Sequence, residues 1–112
     1  MHEIVKLILD AQAGQLISPA RFAEALEEPL SELERNAGVD PNTARFNPNA
    51  ETLQLHMRAS LLVIAVLIRL TLEPSTALFR FRYFPMDELS CKTPEMLVSD
   101  GLTIDLLLRL EV

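Results

Sequence analysis

Residues 50–72 read AETLQLHMRASLLVIAVLIRLTL. Leu53, Met57, Leu61, Ile64 and Ile68 recur at steps of three and four, the period of one face of an α-helix. Leu62, Val63, Val66 and Leu67 widen that stripe onto both flanks. Glu51 sits where the positive end of a helix favours an acid, and Arg69 lies near the opposite end. A helix this apolar must be covered on several sides, by its own chain or by a second copy. The pattern therefore predicts an all-α protein built round one central helix, and it offers that helix as a homodimer surface. The most apolar part, from Ala59 to Ile68, is bracketed by Arg58 and Arg69. It falls well short of the roughly 20 residues of a membrane span, so no membrane partner is expected.

Shorter helices are predicted on either side. Residues 3–13 place Ile4, Val5, Leu7, Ile8, Leu9 and Ala11 on a wide stripe that Gly14 can stop. Ser18-Pro19 is a start signal: the hydroxyl accepts from free N–H groups of the first turn, and proline there forfeits no hydrogen bond. That helix is expected to reach about Glu28, with Phe22, Ala23 and Leu26 on one face. Pro29 restarts the chain, and Leu30, Leu33 and Ala37 form a stripe ending at Gly38. Asp40-Pro41 is another cap-and-proline start, with Val39 placed to pack on Ala44 as a hydrophobic staple. Asn47-Pro48-Asn49 breaks that helix early. Two helices joined by a tight glycine turn fit a helix-turn-helix and also fit an ordinary packed pair.

Glu73-Pro74-Ser75 ends the long helix. The run FRFRYF, residues 79–84, alternates aromatic and basic residues, a pattern a short strand also satisfies. Thr93-Pro94 caps a helix with Met96, Leu97 and Val98 expected inward, and Gly101 stops it. Thr103 opens the last helix, where Leu106, Leu107 and Leu110 are expected to pack.

A chain of 112 residues makes one domain or two small lobes sharing a core. Five Phe, one Tyr and no Trp leave an aliphatic core, which suits packed helices. The net charge of −6 opposes general nucleic-acid binding and an anionic membrane surface, and it suits a partner with a basic cleft. Cys91 is alone, so no internal disulfide forms and a reducing cytoplasm is expected; no signal-peptide pattern opens the chain. Catalysis finds little support. His2 and His56 have no Cys or acidic partners at metal-ligand spacing. The serines lie in no Gly-x-Ser-x-Gly setting, and three glycines make no phosphate loop. Glu27-Glu28 and Asp87-Glu88 are adjacent, so their carboxylates diverge. The expectation is no enzyme activity, no metal and no cofactor.

Residues 77–110 read ALFRFRYFPMDELSCKTPEMLVSDGLTIDLLLRL. Phe81, Arg82, Pro85, Lys92, Thr93, Leu97, Val98, Gly101 and Leu110 stand in the order and spacing of the toxin-binding domain of the Xre/MbcA/ParS-like antitoxins, which this stretch resembles. Upstream, Arg21, Phe22, Ala23, Glu24, Ala25, Leu26, Leu33, Val39, Asn42 and Thr43 resemble the helix-turn-helix of the same family. The resemblance implies a helix-turn-helix domain over 1–49 packed on a toxin-binding domain over 50–112, with a helix from about Ser75 to Tyr83. It implies an antitoxin whose partner is a RES-domain toxin that consumes NAD, neutralised by occlusion of its cleft.

The toxin-binding candidates are Arg80, Arg82, Lys92 and Thr93 around the Pro85 turn, and Glu111 and Val112 at the chain end. There, with Asp105, negative charge complements a cationic cleft built for a pyrophosphate. Their plain alternative, for the three basic residues, is aliphatic stems lying on the core with charged heads in water. The DNA-binding candidates are Asn42, Thr43 and Arg45 on a recognition helix from Pro41, since Asn reads adenine and Arg reads guanine. The family places a basic pair where this chain has Asp40-Pro41, and residues 18–50 carry three arginines against six acids. Two other functions compete: a helix-turn-helix regulator acting mainly on DNA, and an oligomerising adaptor.

Overall fold

In the computed structural model, residues 1–111 are described, and among them the chain forms eight α-helices and one 3-10 turn. The central helix α5 spans Glu51–Thr71. The helices before it are α1 (Glu3–Gln12), α2 (Pro19–Leu26), α3 (Leu30–Ala37) and α4 (Thr43–Phe46); those after it are α6 (Pro74–Tyr83), α7 (Pro94–Ser99) and α8 (Thr103–Glu111). Helices α1, α3, α6, α7 and α8 all pack on α5. Leu53, Met57, Leu61 and Ile64 are buried in that seam as the spacing requires, and Ile68 is partly buried. Leu62 departs from expectation and is 53% exposed: among the described residues nothing buries that flank of α5. By length and composition α5 could cross a bilayer, with mean hydropathy 1.6, yet half of that window is buried inside the fold. One core cluster draws on both halves of the chain, from Ile4 to Leu106.

Local chemistry sets most helix boundaries. Ser18 Oγ accepts from Arg21 N at 3.3 Å with Pro19 in the first turn, and Thr93 Oγ1 accepts from Met96 N at 3.3 Å with Pro94 behind it. Gly38 closes α3 in the left-handed conformation at φ +72°, which glycine adopts without a Cβ penalty. Glu73 accepts from both Ser75 N and Thr76 N, and these donors hold its carboxyl below the usual range. With Pro74 behind that cap, the aromatic-basic run becomes helical rather than extended. Ala77 and Phe81 then fall four apart on the buried face, and Phe79 and Tyr83 four apart on the exposed one.

Three further expectations need correction. Helix α2 ends at Leu26, not Glu28, because Glu27 turns left-handed at φ 56°. The helix expected from Pro41 starts at Thr43 and is a single turn; Asn42 precedes it at φ 70°. Its cap comes from α3, where buried Glu34 accepts from Ala44 N at 3.0 Å, so a tertiary contact replaces the local Asp40 cap. Met96, expected inward, is 54% exposed, since Leu97 and Val98 take the core side of the short α7.

Polar groups of α5 tie down the N-terminal half. Buried Gln54 accepts from Ile17 N at 2.9 Å and donates to Ile17 O at 2.7 Å and Pro48 O at 3.0 Å. Arg58 donates to Ala11 O in the last turn of α1 at 3.2 Å and to Gln15 O in the loop after it at 2.7 Å. Gln54→Leu strands three backbone groups at once. It is expected to lower stability by about 1–3 kcal/mol, read from the urea midpoint. A change within experimental error would show that water reaches the Ile17 backbone.

Candidate functional site

Arg82 stands at the meeting point of four helices. It rides on the last turn of α6, and its side chain is 12% exposed. Nη1 donates to Leu26 O at 2.8 Å and Glu27 O at 3.3 Å, capping the C-terminal end of α2, where a cation suits the helix dipole. Nη2 lies 3.4 Å from Glu32 and 3.8 Å from Glu28, and Nε lies 3.8 Å from Glu95. One guanidinium thus faces three carboxylates from the α2–α3 junction, α3 and α7.

Those carboxylates cannot all be ionised comfortably against one positive charge. Glu28 Oε2 is buried without a hydrogen-bond donor, and Arg82 Nε is buried without an acceptor in range. Burial, then the neighbouring Glu95 carboxyl, pushes Glu28 up to about 9, and burial raises Glu95 as well. A proton held by Glu28 and shared with Glu95 relieves the repulsion and satisfies the orphaned oxygen. The three carboxylates each bring an oxygen within 4.8 Å of the others, the donor chemistry of a hard divalent cation. Here Arg82 occupies the middle of the set, so the chain supplies its own cation. Sequence reasoning missed this cluster because Glu28, Glu32 and Glu95 have no common spacing.

Beside Arg82 opens a cleft of about 500 Å³ between the start of α1, the end of α2 and the outer face of α6. Glu3, Glu24, Glu27, Phe79 and Tyr83 line it. The aromatic pair at i and i+4 was the available signal, visible once the run is read as helix rather than strand.

The residues singled out from sequence are not gathered into one patch. Arg82 points inward, its side chain 12% exposed and its charged head among three carboxylates rather than in water. Arg80 lies over the Phe84 ring at 5.0 Å. Lys92 Nζ is paired with Asp100 at 2.6 Å, and its main chain bridges to Met86 in the loop before α7. Thr93 is buried as the cap of α7. Glu111 pairs with Arg69 of α5, and Val112 lies outside the described residues. Asn42 and Arg45 are exposed, with Arg45 over the Phe46 ring at 5.3 Å, and Thr43 Oγ1 donates to Asp40 O at 2.6 Å. A one-turn α4 presents these DNA-binding candidates on a shorter platform than a recognition helix. The chain matches no family model, no curated protein and no solved structure.

Proposed function

We propose that this protein is a protein-binding module acting as an antitoxin in the cytoplasm, whose partner is a RES-type, NAD-consuming toxin. The observation that carries the proposal is the division of labour along α6. Phe81 and Arg82 are locked into the fold, while Phe79, Tyr83 and Phe84 are about half exposed or more. Aromatic side chains left about half exposed on a folded surface are the usual anchors of a protein interface. The net charge of −6 adds complementarity to a basic partner surface. Leu62 and Leu55 on the uncovered flank of α5 supply the contact surface for the homodimer that accompanies this proposal.

Co-expression with a RES-domain toxin encoded beside this chain is expected to rescue growth, and the two proteins are expected to co-purify. Failure of both sinks the proposal. Deleting residues 110–112 separates two modes of neutralisation. Loss of rescue with retained co-purification identifies a plug at the toxin's cleft; unchanged rescue assigns neutralisation to the body of the domain.

A further inference from the structure

We infer that the cleft between α1, α2 and α6 takes an arginine side chain presented by a protein partner. One wall carries Glu24 and Glu27, both exposed, and among the described residues no ion pair reaches either. The other wall carries Phe79 and Tyr83, 59% and 57% exposed, with ring centroids 5.4 Å apart. Two free carboxylates and an aromatic wall make a cation receptor: the acids supply charge and hydrogen-bond acceptors, and Phe79, whose ring no guanidinium covers among the described residues, supplies its negative face. Glu3 at the mouth is already paired with Arg21 at 2.7 Å and lends only background potential.

Arg82, the one arginine or lysine lining the cleft among the described residues, does not fill this role. Arg82 spends its charge on Glu28, Glu32 and Glu95, and its guanidinium covers the Tyr83 ring from 5.1 Å. Among the described residues no guanidinium lies over Phe79. The vacant arrangement is thus a ring face at Phe79 opposite carboxylates at Glu24 and Glu27. A planar guanidinium can stack on the ring and fork onto a carboxylate at the same time, whereas an ammonium can only approach as a point charge. The volume exceeds one side chain and leaves room for the flanking backbone of a short segment. The acidic surface as a whole draws such a segment in.

The inference goes beyond the toxin proposal and can fail separately from it, because no toxin enters its test. The full chain, labelled with ¹⁵N, is titrated with end-blocked Gly-Arg-Gly and with its citrulline and lysine counterparts. Saturable amide shifts are expected at residues 2–3, 24–27 and 75–83 with the arginine peptide. Citrulline, which has the same shape without the charge, is expected to bind at least about tenfold more weakly. The Glu24→Gln/Glu27→Gln double variant and Phe79→Ala are each expected to weaken binding by about tenfold or more. Glu51→Gln/Glu88→Gln, on exposed acids outside the cleft, should leave it unchanged. All these side chains are exposed, and an unaltered far-UV circular dichroism spectrum checks that the variants fold. Absence of saturation, equal binding of citrulline, or indifference to the cleft substitutions overturns the inference. Lysine binding as tightly as arginine overturns the arginine assignment.

Discussion

Replacing Arg82 with methionine is expected to destabilise the protein by about 3–5 kcal/mol, the range for removing one partner of a buried ion cluster. A small domain has about 5–15 kcal/mol in total, so the variant should be close to unfolding at room temperature. Two losses combine. The carbonyls of Leu26 and Glu27, at the end of α2, lose the donors that reach them at 2.8 and 3.3 Å. Glu28, Glu32 and Glu95 lose the one cation that, among the described residues, faces all three. The methionine stem preserves much of the packing, so the effect reports the head group rather than a cavity. The companion experiment removes the acids first. In a Glu28→Gln/Glu95→Gln background the same Arg82→Met change should cost distinctly less, because fewer charges are left uncompensated. Urea unfolding of the four proteins gives the coupling directly. Additive effects, or an Arg82→Met loss under about 1 kcal/mol, would show that the cluster is solvated and that Arg82 is an ordinary surface residue.

Stability is also expected to decline as pH rises from about 6.5 towards 9. Glu28 is raised from its ordinary 4.5 to about 9, first by burial and then by Glu95. Between those values the folded chain holds a proton that the unfolded chain has released. Unfolding therefore becomes easier with every step up in pH, by at most about 1.4 kcal/mol per unit. This stabilising contribution is complete below pH 4.5 and is lost as pH passes through the native value. Water reaching the cluster past Glu32, whose side chain is 29% exposed, reduces the slope. Glu95 is raised by burial and acts in the same sense.

His56 acts in the opposite sense at lower pH. Burial in α5 lowers it from 6.5 to about 4, so the folded chain keeps it neutral while the unfolded chain takes up a proton. Its contribution is present above 6.5 and is lost as pH falls towards 4. The two groups oppose one another between 4.5 and 6.5, which places the stability maximum in the mildly acidic range. Urea midpoints across pH 5–9 test this, with Glu28→Gln as the decisive variant. Its alkaline limb should be flatter than that of the parent chain. A parent profile that is level from 6.5 to 9, or a variant that falls as steeply, removes the shared proton from the account.

Much of the fold is legible in the chain because the determinants are local. Ser18-Pro19, Pro29, Gly38, Thr93-Pro94 and Gly101 mark helix ends through backbone geometry and side-chain caps within three residues. The stripe from Leu53 to Ile64 marks the core of α5 through its period alone. The run FRFRYF is ambiguous at that level: its alternation suits a strand, and the resemblance to a known family supplied the helix. The Glu73 cap and the burial of Ala77 and Phe81 give the physical reason for that outcome. The candidate site was scarcely legible. Arg80, Arg82 and Lys92 share a sign and lie near one turn, yet they have three different surroundings: an aromatic ring, three carboxylates and a single aspartate.

Composition, period and caps were enough to determine an acidic, mainly helical protein wrapped round one long apolar helix, since each of those signals is read over a few neighbouring residues, but they left residues 79–84 open between strand and helix. Packing alone decided that Arg82 turns inward, that Glu34 rather than Asp40 caps α4, that Leu62 stays bare, and that Glu24 and Glu27 come to face Phe79 and Tyr83. The physical reason is that charge pairing, desolvation and exposure depend on distance in space. Residues fifty positions apart acquire a common environment only when their helices converge.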